Sequence, residues 1–290
     1  MASERKFLAT RELWAKGLAT VRATKRQTLT ILLGGLILPQ LLLSILIDYQ
    51  SGAVVDGVRG VFTSKATSPG SLMGLLAPAR PFLTELAVVI PLIFLVILAS
   101  YFALVHIAVE HHRGSATLKA GTAWLLGLRS ALPGGIVLIV ALFFLAVIGQ
   151  ILIAPAIIMA VLSLTVPIIL VAERRGAFPS LWRALSLKYV SRPEFSGWTV
   201  LFNLLTVGAV LYTVLIATGF LTEALLFLDE RLTLPRDFWT YTFPGLPFGP
   251  VYVVASLIET ALTMSILALF PAITAALYFT VAGKNRLGEV

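Results

Sequence analysis

From Ser130 to Ala172 the chain runs for 43 residues without one charged side chain. Wound as a single helix at about 1.5 Å per residue, that stretch would be roughly 65 Å long, twice the roughly 30 Å hydrocarbon thickness of a bilayer. A hairpin that crosses and returns resolves the length. Gly149, Gln150 and Pro155 place turn-compatible residues near its middle, where the chain can reverse. The expectation is a protein that lives in a membrane.

The bulk composition agrees. With 58% hydrophobic residues, 12% charged residues and a mean hydropathy of +0.96, too little polar surface exists to solvate a globule of 290 residues. A net charge of +8 would point to nucleic acid in a soluble protein. Here the basic residues fall in short segments between apolar runs, where they set orientation, so nucleic-acid binding is excluded. The absence of cysteine removes disulfides, thiolate metal sites and a cysteine nucleophile. Seven basic residues precede the first apolar run, as in a signal peptide. That run is long, lacks an Ala-x-Ala-like exit and is followed by further spans, so a retained first helix is expected.

Windows of about 20 apolar residues mark six spans: Leu29 to Ile47, Leu83 to Val109, Ala131 to Gly149, Leu152 to Ala172, Gly197 to Leu221 and Val251 to Thr280. Prolines at 39, 91, 155, 167 and 271 are candidate kinks. An even number of crossings leaves both termini on one side. Of the 22 Lys and Arg residues, 17 fall in segments on that side; Arg59, Lys65, Arg80, Arg231 and Arg236 fall opposite. The positive-inside bias then puts both termini in the cytoplasm. The expected fold class is all-α: one integral membrane domain, residues 1–290, with six transmembrane helices.

The basic segments read as amphipathic helices lying on the membrane surface. In the first, at residues 5–24, Phe7, Trp14, Leu18 and Val21 share a face opposite Arg5, Glu12 and Lys16. In the third, Phe178, Leu181, Trp182, Leu185 and Tyr189 form a stripe with Arg183 facing away. The middle one, with Leu118, Trp124, Leu125 and Leu128, is less cleanly two-faced. On the opposite side, Phe238, Trp239, Tyr241 and Phe243 suit an outer aromatic belt. Trp14, Lys16, Trp182, Arg183 and Lys188 are the candidate membrane-surface residues, with anionic headgroups as their expected partners.

A unit recurs. Glu110-His111-His112-Arg113-Gly114 precedes a stretch carrying Trp124, and Glu173-Arg174-Arg175-Gly176 precedes one carrying Trp182; Leu13-Trp14-Ala15-Lys16 echoes Leu181-Trp182-Arg183-Ala184. The chain thus parses into three repeats of surface helix plus transmembrane hairpin, at 5–110, 111–173 and 174–290. In the two turn motifs, Glu110, Arg113 and Gly114 and then Glu173, Arg175 and Gly176, glycine permits a left-handed helix stop. Cations there complement the helix C-terminus, and the glutamates can pair with nearby arginines. A plain helix stop and a functional turn both fit.

Leu164-Thr165-Val166-Pro167 through Glu173-Arg174-Arg175-Gly176, followed by Ser180-Leu181-Trp182-Arg183-Ala184-Leu185, resembles the Pro, Glu-x-x-Gly and Arg-Ser-x-x-Leu pattern of YciC-type bacterial inner-membrane proteins. The related membrane domain of some glycerophosphodiester phosphodiesterases is similar. The chain departs from the pattern at Arg183-Ala184 and lacks an acidic and basic pair after Tyr278. The resemblance implies a six-span bacterial cytoplasmic-membrane protein, with no catalytic domain accompanying it here.

Glu259 is the one acid well inside a predicted span, and an intramembrane carboxylate is a functional-site hypothesis by default. Asn203, Gln150 and Ser163 are polar groups that can face it, while Thr260 and Thr263 are its neighbours. A protonated, merely structural Glu259 fits equally. His106 and Glu110, one helical turn apart, have a spacing that can present two metal ligands, yet only three histidines exist and no Cys accompanies them. Neither a metal nor a cofactor is expected. No Gly-x-Ser-x-Gly, phosphate-binding loop or His-Glu-x-x-His is present, and Ser115 and Ser180 have no sequence-defined base. The expected function is a non-enzymatic polytopic protein that organises or maintains the membrane through its basic amphipathic helices. The alternatives are a small transporter or channel using Glu259, and a membrane-embedded lipid-modifying enzyme.

Overall fold

A computed structural model describes residues 10–43, 80–115, 118–151, 153–192, 195–232 and 250–282, and all regular structure among them is helical. The helices are α1 (Thr10–Ala23), α2 (Lys25–Ile31), α3 (Arg80–Arg113), α4 (Ala120–Ile151), α5 (Ile153–Ser163), α6 (Val166–Ala172), α7 (Ala177–Leu185), α8 (Gly197–Leu232) and α9 (Pro250–Ala282). A π-helical stretch, Leu32–Ile37, follows α2. Four segments among the described residues are long and apolar enough to cross a membrane: Lys25–Leu43, Ala87–Arg113, Gly197–Leu221 and Val254–Ala282. Their outward faces carry large apolar side chains, among them Leu92, Phe94, Phe202, Phe220, Val254 and Leu257. Water would not tolerate so continuous an apolar surface; hydrocarbon would, and the chain has the build of an integral membrane protein.

The packed core sits in the half of the bundle nearest Arg113 and Ala172. It joins Leu98 to Val109 of α3, the whole of α6 and Phe270 to Val281 of α9. All seven residues of α6 are buried, as an apolar helix without a polar face requires. Helices in lipid gain no hydrophobic attraction for one another, so close backbone approach must hold them. Gly127, Ala131, Gly134 and Gly135 supply it on α4. A Cβ at Gly127 would lie 2.2 Å from Ala99 O and 2.7 Å from Ala103 N, and one at Gly134 would overlap the Phe102 ring. On the other flank the π-helical stretch brings Gly35 against Ser100 of α3. The Ser100 hydroxyl donates to Val96 O (2.8 Å) and accepts from Trp124 Nε1 (3.1 Å), which ties α3 to α4.

Several expectations change. The middle surface helix is not separate: Trp124 and Leu125 belong to the first turns of α4, which runs unbroken through Pro133 to Ile151. Gly127 explains why, since its seat against Ala99 commits the helix to α3 before the apolar run begins. The predicted span Leu152 to Ala172 is two helices, α5 and α6, parted at Leu164–Thr165. Pro167 in the first turn of α6 starts that helix rather than kinking it, and Thr165 Oγ1 donates to Leu162 O (2.9 Å). The first surface helix packs on the protein through Leu13, Gly17 and Thr20, leaving Leu18 exposed and Trp14 and Val21 half-buried. Gly17 meets Ile273 of α9, so the face that looks least apolar is the one that packs. The three segments are therefore built differently, and equivalent repeats are not visible in the packing. Arg5 and Phe7, most of 48–82, Leu152 and the run Phe238 to Phe243 lie outside the described residues.

Gly127→Ala should destabilise the protein by about 1–3 kcal/mol despite alanine's better helix propensity, because overpacking against backbone cannot relax. Gly208→Ala in α8, where nothing lies within 4 Å of the added carbon, should be neutral or stabilising by up to about 1 kcal/mol. Equilibrium unfolding in mixed detergent micelles reads both signs.

Candidate functional site

Where α6 emerges from the core, the chain must turn sharply into α7, and the residue at that exit is Glu173. Its carboxylate is 9% exposed, a burial that demands partners. Arg183 of α7 donates from Nε to Oε1 at 2.6 Å, and Tyr278 of α9 donates its hydroxyl to the same oxygen at 2.9 Å. Oε2 lies 2.7 Å from Arg175 Nε and 2.6 Å from Arg183 Nε, held by charge without an aligned hydrogen bond. One carboxylate thus joins the α6 exit, the turn, α7 and α9. Arg174 between these anchors takes a left-handed φ of 50°, unusual for a residue with a side chain.

The other turn motif meets this one. Arg113 pairs with Glu110 at 2.6 Å and donates from its second guanidinium nitrogen to Ala172 O at 2.6 Å, closing an open carbonyl at the end of α6. Gly114 takes the left-handed conformation (φ 76°) after α3. Gly176 does not: it is extended and opens α7, while Arg174 makes the left-handed turn instead. Glycine is needed at 176 for neither purpose, so the two motifs end their helices by different geometry.

Tyr189 stacks on Tyr278 with ring centroids 5.8 Å apart, backing the cluster. Its buried hydroxyl, beside Thr165 whose own proton goes to Leu162 O, lacks an aligned partner, and burial pushes its pKa up. Ser191 N and Arg192 N both donate to Val281 O (3.2 Å each), which satisfies the end of α9. Tyr278 was not among the candidate residues, and Tyr189 was expected only on the surface stripe of the third amphipathic helix. No local spacing announces Tyr278, which reaches Glu173 across 105 residues.

α7 then presents Phe178 (59% exposed) and Trp182 (66% exposed) outward, with Trp198 at the start of α8 (79% exposed). Leu181 and Leu185, expected on the same stripe, are partly covered, and Tyr189 is buried. Arg183, expected to face away from the stripe, turns inward to Glu173, whereas Lys188, Arg174 and Lys16 are exposed and Trp14 is half-buried.

Glu259 and Asn203 are not brought together. Asn203 is buried near the start of α8, donating to Thr199 O (2.8 Å) and accepting from Thr10 Oγ1 (3.3 Å) at the start of α1. Glu259 lies two to three turns into α9 from the opposite end, half-buried, with no ion pair among the described residues. Helical rise alone separates the two by roughly 25 Å along the bundle. The Gln150 side chain lies outside the described residues. His106 and Glu110 also diverge, His106 Nε2 to Ser130 Oγ (3.0 Å) and Glu110 to Arg113. Among the described residues no three His, Asp or Glu side chains gather where a metal ion could be held.

Compared with protein-family models, curated proteins and solved structures, the chain matches none.

Removing the Glu173 charge strands Arg183 in a partly buried position, so Glu173→Gln should cost about 3 kcal/mol. Tyr278→Phe should cost about 1 kcal/mol, and Arg175→Ala, whose side chain is 47% exposed, less than about 1 kcal/mol. Unfolding midpoints of the three variants check that order.

Proposed function

We propose that the chain is a non-enzymatic protein of a bacterial cytoplasmic membrane, with its basic end on the cytoplasmic side, that organises or maintains the membrane by engaging anionic headgroups. The observation that carries this reading is α7: Phe178 and Trp182 stand exposed beside the cations Arg174 and Lys188, on a helix fixed by Glu173. Aromatic rings favour the boundary between hydrocarbon and water, and each Lys or Arg near an anionic surface adds about 1 kcal/mol of attraction. A helix so placed works as a rigid surface float. The six-span topology, the three repeats and kinship with YciC-type proteins belong to the same proposal. Of these, the six-span topology is supported by the contact between Arg113 at the end of α3 and Ala172 O at the end of α6, which puts those two helix ends on one side.

The second reading, a small transporter or channel, has one observation in its favour: Glu259 lies half-buried in an apolar helix with no ion pair among the described residues. Replacing it by Gln tests that reading, since transport through Glu259 predicts loss of a proton or solute flux.

For the main reading, the full-length protein in bilayers containing lipids brominated just below the headgroup should show strong tryptophan quenching. Trp182→Phe with Trp198→Phe should measurably reduce the quenched component, the remainder coming from the three tryptophans left in place. Quenching unchanged in the double variant would mean that these rings do not sit in the interface.

A further inference from the structure

Beside the Glu173 cluster, a cavity of about 240 Å³ opens at the junction of α1, α3 and α9. Lys16, His112 and Arg192 line it together with Ala276, Phe279 and Thr280. Lys16 comes from α1, His112 from the end of α3 and Arg192 from the segment between α7 and α8, so three separate parts of the chain bring basic side chains to one opening. Among the described residues no carboxylate lines it, and neither Lys16 nor Arg192 has an ion-pair partner. Elsewhere at this end Arg113 is matched by Glu110, and Arg183 and the more exposed Arg175 by Glu173.

The walls are fixed. Thr20 gives its hydroxyl proton to Lys16 O (3.0 Å), so the 3.2 Å contact between Thr20 Oγ1 and His112 Nε2 has the imidazole as donor. The same ring stacks on Phe279, with centroids 5.5 Å apart and planes 20° from parallel. Arg192 is anchored through its own backbone N–H to Val281 O. That bond, with Ser191 N to Val281 O and Ser191 Oγ to Ala282 O, covers carbonyls at the end of α9 that would otherwise repel an anion.

We propose that this cavity is a phosphate site, in which Lys16 and Arg192 bind the phosphate of a phospholipid headgroup while Ala276 and Phe279 floor the glycerol. A guanidinium offers a planar fork to phosphate oxygens and an ammonium a compact point charge, a complementary pair for one tetrahedral anion. The volume is below the 300–1,000 Å³ common for drug-sized ligands and suits a headgroup. The inference rests on the reading that this end meets anionic lipid, and it adds one saturable site to a diffuse attraction.

The test is native mass spectrometry of the detergent-solubilised full-length protein titrated with phosphatidylglycerol and, separately, with glycerol phosphate. Wild type should bind one phosphatidylglycerol at least tenfold more tightly than Lys16→Ala/Arg192→Ala, with Lys119→Ala/Arg129→Ala, which removes two exposed cations outside the cavity, unchanged. If the first double variant unfolds, Lys16→Gln alone, at an exposed position, should still weaken binding at least threefold. Glycerol phosphate bound with the same dependence, and the lipid not, would keep the phosphate site and overturn the lipid as its source. Equal weakening in both double variants would overturn the site while leaving general headgroup attraction standing. No weakening in either would overturn the site, and the tryptophan-quenching result would then decide separately whether this end meets the membrane at all.

Discussion

A carboxylate nearly withdrawn from water has to be matched by cations and donors close by, and Glu173 is matched from three directions. Its neighbours explain why the arrangement holds. α6 is buried on every side and contributes no polar face, so the first polar side chain after it fixes where the chain leaves the core. Arg183 then sets the rotation of α7, Tyr278 locks the end of α9 to the same point, and Arg113 closes Ala172 O from α3. The outward direction of Trp182 follows from the inward direction of Arg183, because adjacent residues on a helix point about 100° apart.

Beyond that junction the molecule obeys the economy of a fold in hydrocarbon. Backbone groups are satisfied within helices, and the helices hold together where small residues let them touch. Gly127 and Gly134 against α3, Gly35 against Ser100 and Gly17 against Ile273 are all contacts that a side chain would prevent. Threonine has a matching part in α1 and α2. Thr20, Thr24 and Thr28 are buried one turn apart, and Thr24 Oγ1 donates to Thr20 O (2.8 Å) and meets Thr28 Oγ1 (3.2 Å). Polar side chains can thus pack in an apolar setting by bonding back to their own helix.

Much of this was legible in the sequence, and the rest was silent for physical reasons. Hydropathy reports which stretches prefer lipid, and the span it marked from Gly197 to Leu221 lies within one unbroken helix, α8, which runs on to Leu232. Gly149 and Gln150, expected at a reversal, instead lie in the last turn of α4, which runs to Ile151, and Pro155 lies in the first turn of α5. Hydropathy says nothing of which helix faces touch: the apolar stripe of α1 was expected to meet the membrane surface, and nothing in it marked Gly17 and Thr20 as the residues that pack. The small-residue spacing from Gly127 to Gly135 is the sequence signal that joins α4's surface turns to α3. Nothing local could have found Tyr278, whose role depends on a contact between distant segments, nor the convergence of Lys16, His112 and Arg192.

The central proposal is that one end of the bundle, organised around Glu173 and carrying cations without ion-pair partners among the described residues, lies on the inner face of the membrane. The chain has no cysteine of its own, so single cysteines introduced as Arg22→Cys, Lys119→Cys and Lys188→Cys can be labelled without background. With an impermeant maleimide, the account predicts that all three react only after the cells are opened. Reaction of any one of them in intact cells would contradict it.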